Sequence, residues 1–341
     1  MKNNNYTNTP INKLTNNTTT PLHHFRRSFT LIEAIFVIII LSFVLIGGFQ
    51  IISKLYVRNY IAKKSTKFEF TSQQTLDQIS TLLYYRIPLS VIGYNQQKKD
   101  FKYIGEITDN NHTILEWIGY VNDAMVESNL SGFVDLYKSQ KPILYAVDFH
   151  SDFINEVLKH KFSDDNNITN STAVIFAGSF DRGEEGSLDD YNNSFGWHGN
   201  KHNYVFTIDN YNPDGDNCEL NISTDTENKH IRIYEKFYLA DTAYALALKK
   251  DLDKNKWHCD DLNWDKIDSN DLLLFYNYRP WKGETFCGDD NGTSAGNVSV
   301  LALNVNSFRI KKINSHLELK IQMLKSKGDI NISISKQKVT F

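Results

Sequence analysis

The 341-residue sequence has only three cysteines and six prolines, and it lacks several short motifs of common catalytic and metal sites. It contains no C-x-x-C pair of the kind that binds zinc. It also contains no Walker-type loop and no H-E-x-x-H. The net charge of −3 provides no general basic excess for binding nucleic acid. The sequence therefore predicts a chain that is not an enzyme and has no nucleic-acid partner.

The ten histidines are scattered, and their spacing does not predict a cofactor site. His198 and His202 are four residues apart in G-W-H-G-N-K-H-N, but the glycine between them indicates a loop. We expect them to be surface or packing residues rather than metal ligands. His258 and Cys259 are adjacent, and neighbours in sequence rarely bind one metal ion together. No cofactor is expected, apart from the calcium candidate discussed below.

One long apolar run stands out between Phe29 and Ile52, where 24 residues include a single charge, Glu33. At about 1.5 Å per residue, a helix of this length spans about 36 Å, enough to cross a hydrocarbon core of about 30 Å. The helix satisfies its own backbone hydrogen bonds, as lipid requires. A carboxylate in such a span costs at least about 2.5 kcal/mol and is rare unless it is paired or functional.

The sequence R-R-S-F-T-L-I-E from Arg26 to Glu33, followed by the apolar run, resembles the type IV prepilin signal of pilins and type II secretion pseudopilins. The resemblance implies that a membrane peptidase cuts between Ser28 and Phe29 and methylates the new amino terminus of Phe29. Glu33 then matches the family's glutamate, fifth after the cut, which acts in assembly. Ser28 replaces the usual glycine, and its small side chain should still fit the peptidase. The alternative is a plain membrane anchor that carries a glutamate near its start.

This resemblance also implies partners and a location. The partners are prepilin peptidase, other pilin or pseudopilin subunits, an inner-membrane assembly platform and membrane lipid. The location is the inner membrane, crossed once, with the C-terminal domain in the periplasm, and a filament or the cell surface after assembly. Arg26 and Arg27 favour an inside N-terminus, whereas five basic residues after the span pull the other way: Lys54, Arg58, Lys63, Lys64 and Lys67. We follow the motif here, because the peptidase works at the cytoplasmic face.

The sequence predicts four segments. Residues 1–28 are an Asn- and Thr-rich leader that cannot fold and is cleaved. Residues 29–52 form the transmembrane anchor helix. Residues 53–87 continue it as an amphipathic helix, because no Gly or Pro occurs between Gly48 and Pro88 and apolar residues recur at three- and four-residue steps. Residues 88–341 form a β-rich globular domain in the periplasm or outside the cell.

The fold class predicted from this order is α+β, a long N-terminal helix packed on an antiparallel sheet. A short helix is expected at Ser151–His160, with Ser151 as its N-cap. Residues 300–341 resemble the last strands of larger minor pseudopilins, although an ordinary hairpin has the same pattern. The predicted strands are 101–107, 113–121, 143–149, 173–180, 204–209, 231–239, 272–278, 298–305, 308–313, 317–324 and 330–335.

The three cysteines all follow the apolar run, and in a periplasmic domain one disulfide and one free thiol are the simplest arrangement. Cys259 with Cys287 is the favoured pair, because a pair that includes Cys218 closes a longer loop. Sequence alone does not fix the connectivity.

A segment between residues 210 and 216 is a calcium-loop candidate, since some pseudopilins bind calcium in a loop. Its oxygen-bearing side chains alternate around a glycine, as in an EF-hand loop: Asn210, Asn212, Asp214 and Asp216. Asn221 stands where that loop needs a bidentate glutamate. The alternative is an Asp/Asn-rich turn between strands.

Nine N-x-S/T sequons follow the apolar run, and seven of them have Asp or Glu two residues before the asparagine. These seven match D/E-x-N-x-S/T, the longer acceptor sequence of certain bacterial oligosaccharyltransferases. The alternative is that acids and asparagines cluster together in turns. The seven glycosylation candidates are Asn111, Asn129, Asn167, Asn192, Asn221, Asn291 and Asn331.

Together these features predict a minor pilin or pseudopilin subunit, because a head this large is awkward to pack in every subunit of a filament. A pilus-tip adhesin or DNA-uptake subunit is the alternative within the family. A membrane-tethered binding domain or enzyme with a coincidental motif is the alternative outside it.

Overall fold

The structure is a computed structural model that describes residues 30–163, 165–179, 188–223, 233–328 and 330–340. The chain divides into two units between Asn59 and Tyr60. The first unit contains the start of one long helix, and the second contains the rest of it together with every described strand. The predicted α+β class is confirmed.

Helix α1 (Leu31–Tyr84) is 54 residues long. Thr30 begins it: the backbone N–H of Glu33 donates to Thr30 Oγ1 (3.3 Å), and the N–H of Ala34 donates to the Thr30 carbonyl (3.1 Å). A threonine oxygen that accepts from the first turn is a standard helix N-cap. The helix ends four residues before Pro88, which lacks the N–H that a continuing helix needs.

In the first unit, α1 exposes its apolar side chains on all sides. Leu31, Phe43 and Phe49 are each more than 70% exposed, and no residue from Thr30 to Asn59 is buried. By length and composition this helix, near the N-terminus, can cross a membrane. Single-pass anchoring requires such a helix.

The second unit contains three short helices and sixteen strands among the described residues. They are β1 (Ile92–Asn95), β2 (Asp100–Tyr103), β3 (Ile114–Tyr120), α2 (Asn122–Val126), β4 (Leu130–Val134), β5 (Ile143–Phe149), α3 (Ser151–Lys161), α4 (Ile168–Ser171), β6 (Ala173–Phe176), β7 (Phe206–Asp214), β8 (Asn217–Ile222), β9 (Phe237–Leu248), β10 (Leu272–Tyr278), β11 (Glu284–Phe286), β12 (Thr293–Ala295), β13 (Asn297–Ala302), β14 (Val305–Ile313), β15 (His316–Lys327) and β16 (Ile330–Thr340).

Eleven of these strands form one antiparallel sheet in the order β2-β1-β3-β9-β6-β7-β8-β5-β4, with β10 beside β9 and β13 beside β10. Strand β9 is central, because it pairs with β3, β6 and β10. The C-terminal strands form a second antiparallel sheet, β14-β15-β16. Strands β11 and β12 form a small parallel pair.

We call the second unit, Tyr60–Phe341, the head. From Tyr60 onward, the apolar stripe of α1 packs into its core. Leu76, Ile79 and Leu83 are at most 1% exposed. Their cluster includes Trp117, Leu246 and Leu272 from the large sheet and Leu317, Leu319 and Ile321 from the C-terminal sheet. Lys338 Nζ also lies 2.7 Å from Asp77 Oδ1, but such a partly exposed pair adds little stability. Both sheets therefore share one apolar cluster with this part of the helix.

Several local predictions were wrong, each for a physical reason. The predicted strand 101–107 ends at Tyr103, where a 3-10 turn begins. Strand β9 extends to Leu248 through an alanine-rich segment with low β-propensity, buried on both faces and so without alternation. Ser151 is not an N-cap but the first residue of α3, after His150. By contrast, Ile143–Phe149 and Leu272–Tyr278 have the predicted bounds.

Five strands were missed altogether: β1, β4, β8, β11 and β12. Strand β4 contains Gly132 at φ +74°, a conformation that glycine adopts without strain and that weakens a strand pattern. Strand β8 lies in a segment rich in Asn, which is depleted in strands. Residues 231 and 232, the start of another predicted strand, lie outside the described residues.

The helix stripe gives the first prediction. We expect Ile79→Ala to lower the free energy of unfolding of the head by about 2–5 kcal/mol, because it leaves a cavity where α1 meets both sheets. Urea unfolding of the full chain in detergent, followed by tryptophan fluorescence, measures this change. Gln74→Ala, on the exposed face of the same helix, should stay within about 0.5 kcal/mol of wild type. Equal stability of the two variants would contradict the packing described here.

Candidate functional site

The N-terminal part of α1 is the first candidate site. Ser28 and Phe29, the predicted processing residues, lie outside the described residues. Glu33 is exposed in the first turn of α1. A carboxylate there is favoured by the helix dipole, and Thr30 three residues earlier caps the same turn. The sequence analysis missed this contribution, although T-x-x-E before an apolar run is a recognisable helix-start pattern.

The second candidate is a buried cluster of charged residues in the head, which we call the Glu–His–Asp cluster: Glu116, His198 and Asp289. Glu116 lies on β3, His198 in a 3-10 turn at Trp197–Gly199, and Asp289 two residues after Cys287. His198 Nε2 lies 2.8 Å from Glu116 Oε1, and Nδ1 lies 3.0 Å from Asp289 Oδ2. All three side chains are at most 5% exposed.

Both ring nitrogens of His198 face carboxylates, so the geometry requires an imidazolium. Burial by itself lowers the pKa of His198, but Glu116 and Asp289 outweigh it and raise that pKa to about 9. Burial would raise the pKa of Asp289, but the hydrogen bond and charge of His198 bring it below its usual range. His198 and Asp289 thus form a buried ion pair in the core.

Two tyrosines satisfy the remaining carboxylate oxygens. The Tyr278 hydroxyl donates to Glu116 Oε2 (2.7 Å), and the Tyr94 hydroxyl donates to Asp289 Oδ1 (3.3 Å). The Tyr94 ring stacks on the His198 ring with centroids 3.7 Å apart, a favourable contact for a cation. Burial is the largest cause that raises the pKa of both tyrosines, and the nearby carboxylates raise it further. Both hydroxyls therefore remain hydrogen-bond donors.

The Glu–His–Asp cluster joins distant segments of the head. Both His198 nitrogens are occupied, so the ring is not free to act as a base toward a substrate. His198 has φ +52°, a conformation that costs a non-glycine residue on the order of 1–3 kcal/mol. The ion pairs hold it there and connect β3 to two loops. The sequence analysis expected a surface or packing residue; the histidine packs in the core, but its partners are 82 and 91 residues away.

Cys287 lies two residues before Asp289 of the Glu–His–Asp cluster, whereas Cys218 lies in a separate core cluster. Cys259 and Cys287 form a disulfide, the pairing that the sequence favours. Cys218 is a buried free thiol on β8, and burial raises the pKa of this thiol to about 12. It is therefore unreactive near neutral pH.

The calcium candidate does not form an EF-hand-like loop. Asn210, Asn212 and Asp214 lie on β7, which pairs with β8 across a tight turn at Gly215 and Asp216. Asp214 Oδ2 accepts a hydrogen bond from the Tyr145 hydroxyl (2.6 Å). Alternation of oxygen-bearing residues here is the two-residue period of a strand. Among the described residues, no group of three or more His, Cys, Asp or Glu side chains is placed to hold a metal ion.

The seven acidic sequons differ in their exposure. Asn111, Asn192 and Asn331 are exposed, and the other four asparagines are half-buried: Asn129, Asn167, Asn221 and Asn291. Asn167 caps α4 in a capping box with Asn170. Asn221 lies on β8 between two partner strands.

No protein-family model, no curated protein and no solved structure matches the chain. Interpretation of these sites therefore rests on their own geometry and on the prepilin-like N-terminal motif.

The Glu–His–Asp cluster gives a prediction of pH dependence. His198 has a raised pKa in the folded state, so its ion pairs contribute fully below about pH 6.5, and this contribution is lost as the pH rises to about 9. We expect the free energy of unfolding of the wild type to fall across that interval in urea titrations. His198→Gln should lose this slope, and about 3–5 kcal/mol of stability, because two buried carboxylates lose their partner.

His202→Gln is the matched control, because His202 lies in the same loop and its ring contacts the Val205 carbonyl (3.3 Å). It should keep the wild-type slope. A wild-type protein equally stable at both ends of the interval would contradict an imidazolium in the core.

Proposed function

We propose that this chain is a minor pilin or pseudopilin subunit, processed by prepilin peptidase and assembled through its N-terminal helix into a type II secretion or type IV pilus filament. The exposed apolar half of α1 is the observation that carries this proposal. Soluble monomers rarely expose such continuous apolar surface, so these side chains require lipid or neighbouring helices. The R-R-S-F-T-L-I-E motif indicates that lipid surrounds these side chains first, and that the helices of neighbouring subunits surround them after assembly.

Two further features support a subunit rather than a plain anchor. One helix carries both the exposed apolar surface and the buried stripe of the head, which is the arrangement that the pilin resemblance implies. Glu33 is a carboxylate within the apolar half, and an unpaired charge is costly in lipid. A neighbouring subunit would relieve that cost.

The amino group that cleavage creates at Phe29 is the partner that we assign to Glu33. An α-amino group has a pKa of about 7.7–8.0, so it is charged near neutral pH. Glu33 of one subunit can then pair with the terminus of its neighbour and neutralise both charges. Buried ion pairs often add little net stability, and their better-attested use is to specify register. Glu33 therefore acts in assembly rather than in folding.

The proposal places the head on the periplasmic side, where a disulfide such as Cys259–Cys287 can form. It assigns the chain no enzymatic activity. A membrane-tethered binding domain or enzyme with the same anchor would need no partner for Glu33. Variants of Glu33 therefore distinguish the two classes.

Processing is the first test. We expect the mature protein from assembled material to begin at an N-methylated Phe29, because the motif directs cleavage after Ser28. Intact-mass and N-terminal peptide spectrometry measure this. Ser28→Gly should still be cleaved, whereas Ser28→Leu should retain the leader, since a bulky residue does not fit a peptidase that accepts small ones. Assembled protein that keeps residues 1–28 would refute the assignment.

Assembly is the second test. Glu33→Ala should leave the head folded and the helix inserted, while incorporation into filaments falls, because the neighbour's terminus loses its partner. Co-isolation of the labelled subunit with sheared or pulled-down filaments measures incorporation. Glu33→Gln keeps the shape without the charge, and Glu69→Ala, on the part of α1 within the head unit, is the matched control. Normal incorporation of Glu33→Ala would mean that the carboxylate does not set register.

A further inference from the structure

The acidic sequons are a signal that the proposed filament function does not explain. Asp and Glu make up 40 of the 341 residues. Random placement would therefore put an acid two residues before the asparagine in about one of the nine sequons, whereas seven of the nine sequons have one. Clustering of acids in turns does not account for Glu219 and Asn221, which both lie within strand β8. The structure shows which of these sequons a transferase can reach in the folded protein.

The sequon around Asn111 is accessible in the folded head. Residues 107–113 form an irregular loop before β3, and both Asn111 and Thr113 are exposed. Asp109 shapes the loop: its Oδ1 accepts a hydrogen bond from the Asn111 backbone N–H (2.8 Å) and lies 2.9 Å from His112 Nδ1. The hydrogen bond from the Asn111 N–H is the largest cause that lowers the pKa of Asp109 to about 2, and the contact with His112 is the next. The Asp109 side chain is therefore ionised near neutral pH. The loop thus presents the Asn111 amide and the Thr113 hydroxyl on the surface, with the partly exposed Asp109 carboxylate two residues before Asn111.

The sequon around Asn291 is the opposite case. Its acid is Asp289, which is fully buried and held by His198 in the Glu–His–Asp cluster. Asn291 Nδ2 donates to the Tyr94 hydroxyl in the same cluster. A glycan on that nitrogen would break the contact, and the buried carboxylate is out of reach of another protein. Two sequons of the same type therefore differ in the folded state.

We propose that Asn111 is an N-glycosylation acceptor, recognised in the folded head through Asp109, Asn111 and Thr113. The co-substrate is a lipid-diphosphate-linked oligosaccharide. The Asn111 Nδ2 forms a bond to the anomeric carbon of the sugar, the bond from that carbon to the diphosphate oxygen breaks, and the lipid diphosphate leaves with the electron pair. The amide loses one proton. Asn331, with Ser333, is a second exposed acceptor, and Asn291 is bypassed.

This modification goes beyond filament assembly and requires only that the head face the transferase. The test expresses the full chain in a bacterium that carries an oligosaccharyltransferase of the D/E-x-N-x-S/T class with its lipid-linked oligosaccharide. An acceptor pentapeptide appended after Phe341 serves as an internal positive control. Glycopeptide mass spectrometry measures the occupancy of each asparagine. We expect high occupancy at Asn111 and at the appended peptide, and little or none at Asn291.

Matched variants separate recognition from folding. Thr113→Ala and Asp109→Asn should each abolish the glycan at Asn111 and leave Asn331 unchanged. Asp100→Asn is the control, because Asp100 Oδ2 also contacts the His112 ring (3.4 Å) but lies outside the sequon. It should keep the glycan.

If the appended pentapeptide carries a glycan while Asn111 carries none, the proposal is wrong. If the glycan occupancy of Asn111 equals that of Asn291, the transferase does not recognise the folded head. Glu33→Ala should not change occupancy, so failure here is distinguishable from failure of the filament function.

Discussion

The burial of apolar side chains along α1 is the constraint on which the rest of the structure depends. From Tyr60 onward these side chains fill the cluster that lies between two sheets that do not pair with each other, so the helix supplies the apolar contact that the two sheets share. Before that point the same helix has apolar side chains and no protein around them. A helix that satisfies its own backbone can hold both environments in one element, whereas a strand cannot. The proposed function follows from the first part of α1, whose exposed apolar side chains need lipid or neighbouring helices.

Buried charge is the second organising feature, and it acts within the head. The Glu–His–Asp cluster connects β3 to the loop at His198 and to the segment after Cys287. The disulfide at Cys287 then ties that segment to Cys259. Two polar tyrosines complete the hydrogen bonds, as a buried network requires if it is not to cost stability. This cluster explains why two polar, glycine-containing loops of the head keep defined positions without regular secondary structure.

The sequence predicts the features whose determinants are local. The long apolar run predicted the first part of α1, and the hydrophobic period with no Gly or Pro after Gly48 predicted the second part. Short alternating or apolar runs predicted β5 and β10 with their observed bounds. Alanines in β9 hide a central strand, because burial on both faces removes alternation. His198 looked like a loop residue, because its partners come from distant parts of the chain and no spacing relates them. The Asn210–Asp216 segment resembled an ion-binding loop because alternate strand positions mimic alternate ligand positions.

The most direct measurement of the central claim is what touches the exposed apolar half of α1 in the cell. Phe43 is 73% exposed there and can be replaced by the photoreactive p-benzoylphenylalanine with little change in shape. After irradiation of cells that contain the assembly machinery, the account predicts covalent products that join this chain to the apolar helices of other filament subunits. Irradiation that yields only lipid adducts, with the chain otherwise monomeric, would contradict a filament subunit and leave a simple membrane anchor.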